Sequence, residues 1–239
     1  MATGSLADRL GRLVPLREEE RAALAALGAR ERSYRRGMTL QRAQEPVAEI
    51  YVLQRGMLMS YMLTGEGSRQ ILRFYFPGDL VGMANLAYGQ APETIAALTD
   101  ASVAPVERAA LGALIAAHPR LGALLLADAQ MAQVALADRL ASLGRHSAKA
   151  RVAGVLVELR RRLGESGATN FTLGLTQEEI GDATGLTAVH VNRMLRLLAQ
   201  EGLIERDGGR VRLIDPAGLE RAGGQGARPA HDLDWLPPG

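Results

Sequence analysis

The 239-residue chain has no cysteine. Disulfides, cysteine-ligated iron–sulfur clusters, zinc–thiolate sites and thiol redox sensing are therefore excluded. Histidine is scarce as well. His118, His146, His190 and His231 are the whole set. Their spacing offers neither HxH nor HxxxH, so a histidine-built metal site is not expected. No apolar run reaches the roughly 18 residues of a membrane helix, and the opening "MATGSLADRLGRLVPLREEE" lacks the apolar core of a signal peptide. The expectation is a soluble, cytoplasmic protein with no membrane partner. A large excess of one charge is also missing. The net charge is +2, and residues 144–215 hold 11 Arg/Lys against 9 Asp/Glu. A nucleic-acid reading must then rest on where particular arginines point, not on a broad basic surface.

What remains is globular material, 47% hydrophobic, enough for one large or two small domains. Residues 6–27 read as helical and stop at Gly28. Residues 31–108 change period. Short β-type runs ("ERSYRR", "MTLQR", "AEIYVLQ", "MLMSYML", "RQILRFYF", "ASVAPVER") alternate with turn signals at Gly37, Gly56, Gly65–Gly67 and Pro77-Gly78-Asp79. That spacing predicts an antiparallel barrel or sandwich. "RAALGALIAAHP" then predicts a short helix, and residues 120–143 a long one. Along it Gly122, Leu125, Ala129, Ala132, Leu136, Arg139 and Leu143 recur by 3 and 4, the spacing of a seam between two helices. A dimer helix is favoured over a helix packed on its own domain. Gly144 suggests a hinge, with 143–147 as the pivot. Residues 147–164 predict another amphipathic helix, with Val152, Val155, Leu156 and Leu159 inward, and "NFTLGL" a short strand.

The densest signal is "LTQEEIGDATGLTAVHVNRML" (175–195). Thr176 and Glu179 form a T-x-x-E capping box that starts a helix over about 177–183. Gly185 supplies a turn, Leu186 plugs the junction, and Thr187 caps a second helix running to about Gln200. Val191, Leu195 and Leu198 must face the core. Two helices joined by a short Gly-containing turn predict a helix-turn-helix. On the opposite face Val189, Asn192, Arg193 and Arg196 line up at i, i+3, i+4, i+7. Arginine suits guanine O6 and N7, asparagine suits adenine, and valine suits a thymine methyl. A lone arginine here would be a solvated surface group; inside this motif base contact is the better reading. His190 flanks that face. Thr176, Gln177 and Thr187 are helix-start residues first, with phosphate contact secondary. "GLIERDGGRVRLID" predicts an Asp-Gly-Gly hairpin. Its Arg206, Arg210 and Arg212 would lie near the DNA backbone in a winged variant, or in solvent. Residues 222–239 are Gly- and Pro-rich and predict a flexible tail, with Trp235 in it.

These motifs resemble the Crp/Fnr transcription regulators over about residues 10–215. The specific block is "LTQEEIGDATGLTAVHVNRMLRLLAQEGLI", where Thr176, Ile180, Gly181, Gly185, Leu186, Val191, Arg193 and Leu195 match; "GDLVG" at 78–82 matches the β-roll turn before the effector pocket. The resemblance implies an α+β chain in four parts. Residues 1–117 would be an antiparallel jelly-roll β-roll of the cyclic-nucleotide-binding kind with an N-terminal helix. Residues 118–146 would be a dimerisation helix and hinge, 147–221 a winged helix-turn-helix, and 222–239 the tail. It implies a homodimer on double-stranded DNA, with RNA polymerase as a further partner. The effector pocket would fall at Gly82, Met83, Glu93 and Thr94.

Departures from the family pattern matter. Cyclic-AMP members carry a glutamate where Met83 stands, and Arg-Ser where Glu93 and Thr94 stand. A carboxylate would repel a phosphate there, so cyclic AMP is not expected. No cysteine can hold an iron–sulfur cluster, and no histidine precedes His118 to hold a haem. No cofactor is predicted and the effector is unknown. Val189 replaces a glutamate common in family recognition helices, which implies a changed operator. A constitutive regulator, a ligand-binding adaptor and a cupin-like enzyme are the alternatives. The enzyme would have to rely on Glu49, Glu66, Asp79 and Glu93, which no spacing groups.

Overall fold

A computed structural model describes residues 4–164, 170–172, 175–207, 210–224 and 230–237, with residues 164, 170–172 and 210 by their backbone alone. It divides into two compact units. One comprises residues 1–62, 73–135 and 230–239; the other comprises 63–72 and 136–229.

The first unit begins with helices α1 (Leu6–Gly11) and α2 (Glu18–Leu27). Ser5 caps α1: its Oγ accepts from the Asp8 backbone N–H at 3.0 Å, and the Asp8 carboxylate accepts from the Ser5 N–H at 3.2 Å. The sequence expectation of helix throughout 6–27 is corrected to two helices. Pro15 has no N–H and its ring collides with the carbonyl one turn earlier, at Gly11, where α1 ends.

Eight strands follow: β1 (Arg32–Tyr34), β2 (Thr39–Gln41), β3 (Glu49–Arg55), β4 (Leu58–Leu63), β5 (Arg69–Tyr75), β6 (Leu80–Val81), β7 (Thr94–Ala97) and β8 (Ala101–Glu107). They form two four-stranded sheets, ordered β1-β8-β3-β6 and β2-β7-β4-β5. The antiparallel roll read from the sequence is present. Strand β7 has no counterpart among the β-type runs of the sequence. Its four residues, "TIAA", are too short and alanine-rich to announce a strand, yet it lies between β2 and β4. The two-residue period of β3 explains how the unit is filled. Ile50 and Val52 join one cluster with Leu6, Leu10 and Leu24, while Tyr51 and Leu53 join another with Leu58, Ile95 and Val103.

Helices α3 (Arg108–Ala117) and α4 (Pro119–Arg145) follow β8. The start of α4 belongs to the first core: Leu121, Leu124 and Leu125 are buried in it. Leu125 is only 5% exposed. The expected seam is therefore corrected. Leu125 serves its own fold, Ala132 and Leu143 are half-buried, and Arg139 pairs with Glu158. The outward stripe is Leu126, Ala129, Gln133, Leu136 and Leu140, still spaced by 3 and 4, with Ala129 half-buried. Leu126 is 58%, Leu136 51% and Leu140 71% exposed. Sequence spacing lets either line face outward; the burial of Leu125 takes it out of the outward one. The helix also runs through Gly144. His146 N–H still bonds the Ser142 carbonyl at 2.9 Å, and the break falls at His146–Ser147.

A buried charge cluster joins α1, the 77–79 turn and α4. Arg9 Nε lies 3.0 Å from Asp79, and its terminal nitrogens lie 2.6 and 2.7 Å from the two Asp128 oxygens. The tail also departs from expectation. Leu233 and Leu236 pack against the Leu6–Leu10–Leu24 cluster, while Trp235 stays largely exposed. Apolar residues three apart in a turn, with Leu236 N–H bonded to the Leu233 carbonyl at 3.1 Å, give that stretch a face to bury. Residues 225–229 of the expected tail lie outside the described residues.

The second unit holds α5 (Ala148–Gly164), β9 (Asn170–Thr172), α6 (Gln177–Thr184), α7 (Ala188–Gln200), β10 (Ile204–Asp207), β11 (Arg210–Leu213) and α8 (Pro216–Ala222). Val152, Val155, Leu156 and Leu159 of α5 are buried, as their spacing requires. The strands form one antiparallel sheet, β10-β11-β9. Asp207 pairs with Arg210 across the hairpin; Gly208 and Gly209 at its tip, like Leu173 and Gly174 after β9, lie outside the described residues. Helix α8 is an addition to the elements that the sequence pattern predicts. It starts at Pro216, and the Asp215 carboxylate accepts from the Gly218 N–H at 2.8 Å.

Candidate DNA interface

The two helices of the reading head are set by local chemistry. Thr176 Oγ1 accepts from the Glu179 N–H at 3.1 Å, and the Glu179 carboxylate accepts from the Thr176 N–H at 2.7 Å. At the other end of α6, Gly185 adopts φ +64°, a left-handed conformation that glycine takes without steric cost. The Leu186 N–H then returns to the Gly181 carbonyl at 3.0 Å. Thr187 Oγ1 accepts from the His190 N–H at 3.2 Å and opens α7. Arg151 of α5 adds a contact that sequence spacing does not reveal. Its Nη1 donates to the Thr184 carbonyl at 2.6 Å, placing a cation on the negative end of α6.

Helix α7 has two faces. Val191, Met194, Leu195 and Leu198 are buried. Opposite them Val189 is 82% exposed, and Arg193 and Arg196 are also exposed. An apolar side chain that protrudes this far on a helix otherwise well buried has no role in packing. The fourth expected readout residue differs. Asn192 is half-buried, and its Oδ1 accepts from Arg206 Nη1 of β10 at 3.1 Å. His190 lies beside the face, with Nε2 3.5 Å from an Arg193 nitrogen. Thr176 is exposed and Gln177 half-buried at the start of α6, both compatible with their helix-start role.

The hairpin arginines separate. Arg206 is committed to Asn192. Arg212 is committed to Glu205, its cross-strand partner, with Nε 2.7 Å from the carboxylate. Both therefore have a partner within the reading head, and the Arg212–Glu205 pair is exposed. The side chain of Arg210 lies outside the described residues.

The expected effector positions also separate. Gly82 has φ +74°, and a β-carbon there would meet the Asn85 amide. Met83 packs against the first core. Thr94 Oγ1 accepts from the Ala43 N–H at 3.1 Å. Glu93 alone turns chemistry inward: Tyr75 donates its hydroxyl to the Glu93 carboxyl at 3.4 Å. Burial pushes that carboxyl above its ordinary range, opposed by the nearby Ser60 hydroxyl, the charge of Arg73 and the bond from Tyr75. Burial likewise pushes Tyr75 upward. Gln41 and Asn85, buried and bonded to each other at 2.8 Å, tie the Glu93 backbone to β3: Gln41 donates to the Glu93 carbonyl at 3.2 Å and Asn85 to that of Glu49 at 3.0 Å. Gln41 lies on β2, Tyr75 on β5 and Asn85 in the short 3-10 turn Met83–Leu86, so no local motif announces them together.

Comparison with known proteins agrees with this layout. Residues 31–118 match the cyclic nucleotide-binding domain family, and residues 150–222 match the Crp-like helix-turn-helix domain family. The chain is 31% identical over 206 residues to the probable transcriptional regulator flp of Lacticaseibacillus casei, covering 86% of this chain and 92% of that one. It is 29% identical over 206 residues to the transcriptional activator protein FnrA of Stutzerimonas stutzeri, covering 85% and 84%. Among solved structures, FixK2 from Bradyrhizobium japonicum superposes with a TM-score of 0.76 at 30% identity, covering 83% of this chain and 98% of that one. With a nucleotide-binding-type roll, a long helix and a winged reading head in that order, the chain belongs to the Crp/Fnr family of DNA-binding transcription regulators.

Proposed function

We propose that this regulator acts as a homodimer on a near-palindromic operator. The α4 stripe of Leu126, Leu136 and Leu140 supports the dimer. Three exposed leucines on one helical line are costly in water, and a second copy of the same helix covers them. Each protomer then offers one α7 to the DNA, and the pair enters major grooves about one turn apart, ~34 Å. Arg193 reads guanine, Val189 meets a thymine methyl, and Arg196 contacts base or phosphate. The observation that carries this reading is the exposed row of Val189, Arg193 and Arg196 opposite a fully buried face of α7.

The roll supplies the dimer platform and any regulatory input. That input reaches α7 through α4 and the break at His146–Ser147. Cyclic AMP is not the signal in this reading, because the Glu93 carboxyl occupies the position of the family's phosphate-binding Arg-Ser pair. No cofactor and no catalytic step are proposed. The likeness to a named transcriptional activator supports contact with RNA polymerase, and the work is done in the cytoplasm, where the DNA is. The test is selection of bound sequences from random DNA by the full chain. An inverted repeat with half-sites one helical turn apart supports the reading. Recovery of no consensus overturns it.

A further inference from the structure

Asn192 and Arg206 stand fourteen residues apart in sequence, one on the recognition helix and one on the wing. Strand β10 places them together. Ile204 is buried, and the two-residue strand period puts Arg206 on the same face, toward α7. Arg206 Nη1 donates to Asn192 Oδ1 at 3.1 Å, in a partly buried setting. The amide orientation follows from chemistry alone, since a guanidinium has only donors and must meet the amide oxygen.

Asparagine reads adenine by a two-way exchange. Its oxygen accepts from the adenine N6 amino group while its nitrogen donates to N7. Here one of the oxygen's two lone pairs accepts from a guanidinium, which leaves the other beside a positive charge. An adenine amino group arriving there meets positive charge, donor against donor. The amide nitrogen keeps its hydrogens. They suit a base whose groove edge offers a carbonyl: guanine, with O6 and N7, or thymine, with O4.

We propose that Arg206 is a specificity-determining residue of this regulator. By holding the Asn192 oxygen it commits Asn192 to a keto base, guanine or thymine, and against adenine and cytosine. This rests on base readout by α7. Arg206 acts through Asn192 and is a positioning residue, not a phosphate contact.

The test is sequence selection from random DNA with the full chain, repeated with Arg206→Met, Arg206→Lys and Asn192→Ala. Arg206→Met keeps the apolar stem and removes the donors; Arg206→Lys keeps a donor for the Asn192 oxygen. For the unaltered chain, one position in each half-site selects guanine or thymine. Arg206→Met raises adenine at that position by about tenfold, the scale of one bidentate contact. Arg206→Lys retains the keto preference, and Asn192→Ala flattens that same position while the rest of the motif persists. A motif unchanged by Arg206→Met, or an affinity lowered equally for all sequences, overturns the proposal and makes Arg206 a backbone contact. Adenine already selected by the unaltered chain at the position that Asn192→Ala flattens overturns it too. If the unaltered chain selects no motif, base readout itself fails, a result distinct from the others. Thermal melting of each variant separates misfolding from altered preference, and agreement between the lysine and methionine variants would count against the proposal.

Discussion

The Leu186 carbonyl oxygen lies where a β-carbon on Gly181 would have to go. The turn between α6 and α7 is packed backbone on backbone, and glycine at 181 makes it possible. Gly181→Ala is expected to destabilise the second unit by roughly 1–3 kcal/mol, the range for overpacking a filled site. Urea unfolding of the full chain checks this. A variant with unchanged stability would mean that the helices separate without cost.

Arg193→Ala is expected to weaken binding to a selected operator by about tenfold or more, the scale of a lost guanine contact, with a smaller effect on unrelated DNA. Fluorescence anisotropy with the two DNAs at one salt concentration measures both. Equal losses on the two would assign Arg193 to the phosphate backbone.

The two candidate seams of α4 predict opposite phenotypes. Leu140→Asp puts a charge on the exposed stripe and should yield a folded monomer. Leu125→Asp buries a charge in the first core and should unfold it. Sedimentation velocity and thermal melting report the two outcomes. A dimer that survives Leu140→Asp would remove α4's outer stripe as the interface.

Glu93 makes the stability of the roll depend on pH. Its carboxyl is held above its ordinary value of 4.5, mainly by burial. The folded chain therefore holds this proton more tightly than the unfolded chain. Stability from Glu93 is fully present below the unfolded value and is lost as pH rises through the folded one. Glu93→Gln cannot ionise, so it should melt higher than the unaltered chain near neutral pH. That advantage should shrink toward about pH 4, where Glu93 is protonated in both states. Melting curves across this range that stay parallel would show that Glu93 is not the group responsible.

Arg9 is the counterion of two buried carboxylates, Asp79 and Asp128. Arg9→Met leaves both without it and should cost roughly 3–5 kcal/mol of stability, as for a broken buried pair. Calorimetry that finds the variant as stable as its parent would refute this.

Local rules account for the features that the sequence alone dictates. Capping boxes, a left-handed glycine and 3.6-residue periodicity act over a few residues. Thr176, Glu179, Gly185, Thr187 and the buried stripe of α7 therefore follow from spacing alone, and so does the exposure of Val189 and Arg193. Strand period and turn residues likewise announce most of the roll. Their limit shows in β7, whose four residues are a strand only because β2 and β4 flank them.

Tertiary structure decided everything that depends on a distant partner. Helical spacing lets either of two lines on α4 face outward, and the first core removes Leu125 from the outer one by burying it. The hairpin supplies arginines, but only the register of β10 against α7 brings Arg206 to Asn192 and sends Arg212 to Glu205. Leu233 and Leu236 sit in a stretch that reads as tail until the first core offers them a surface. The physical reason is the same in each case. Hydrogen bonds along a helix are set by neighbours in the chain, whereas burial and charge pairing are set by neighbours in space.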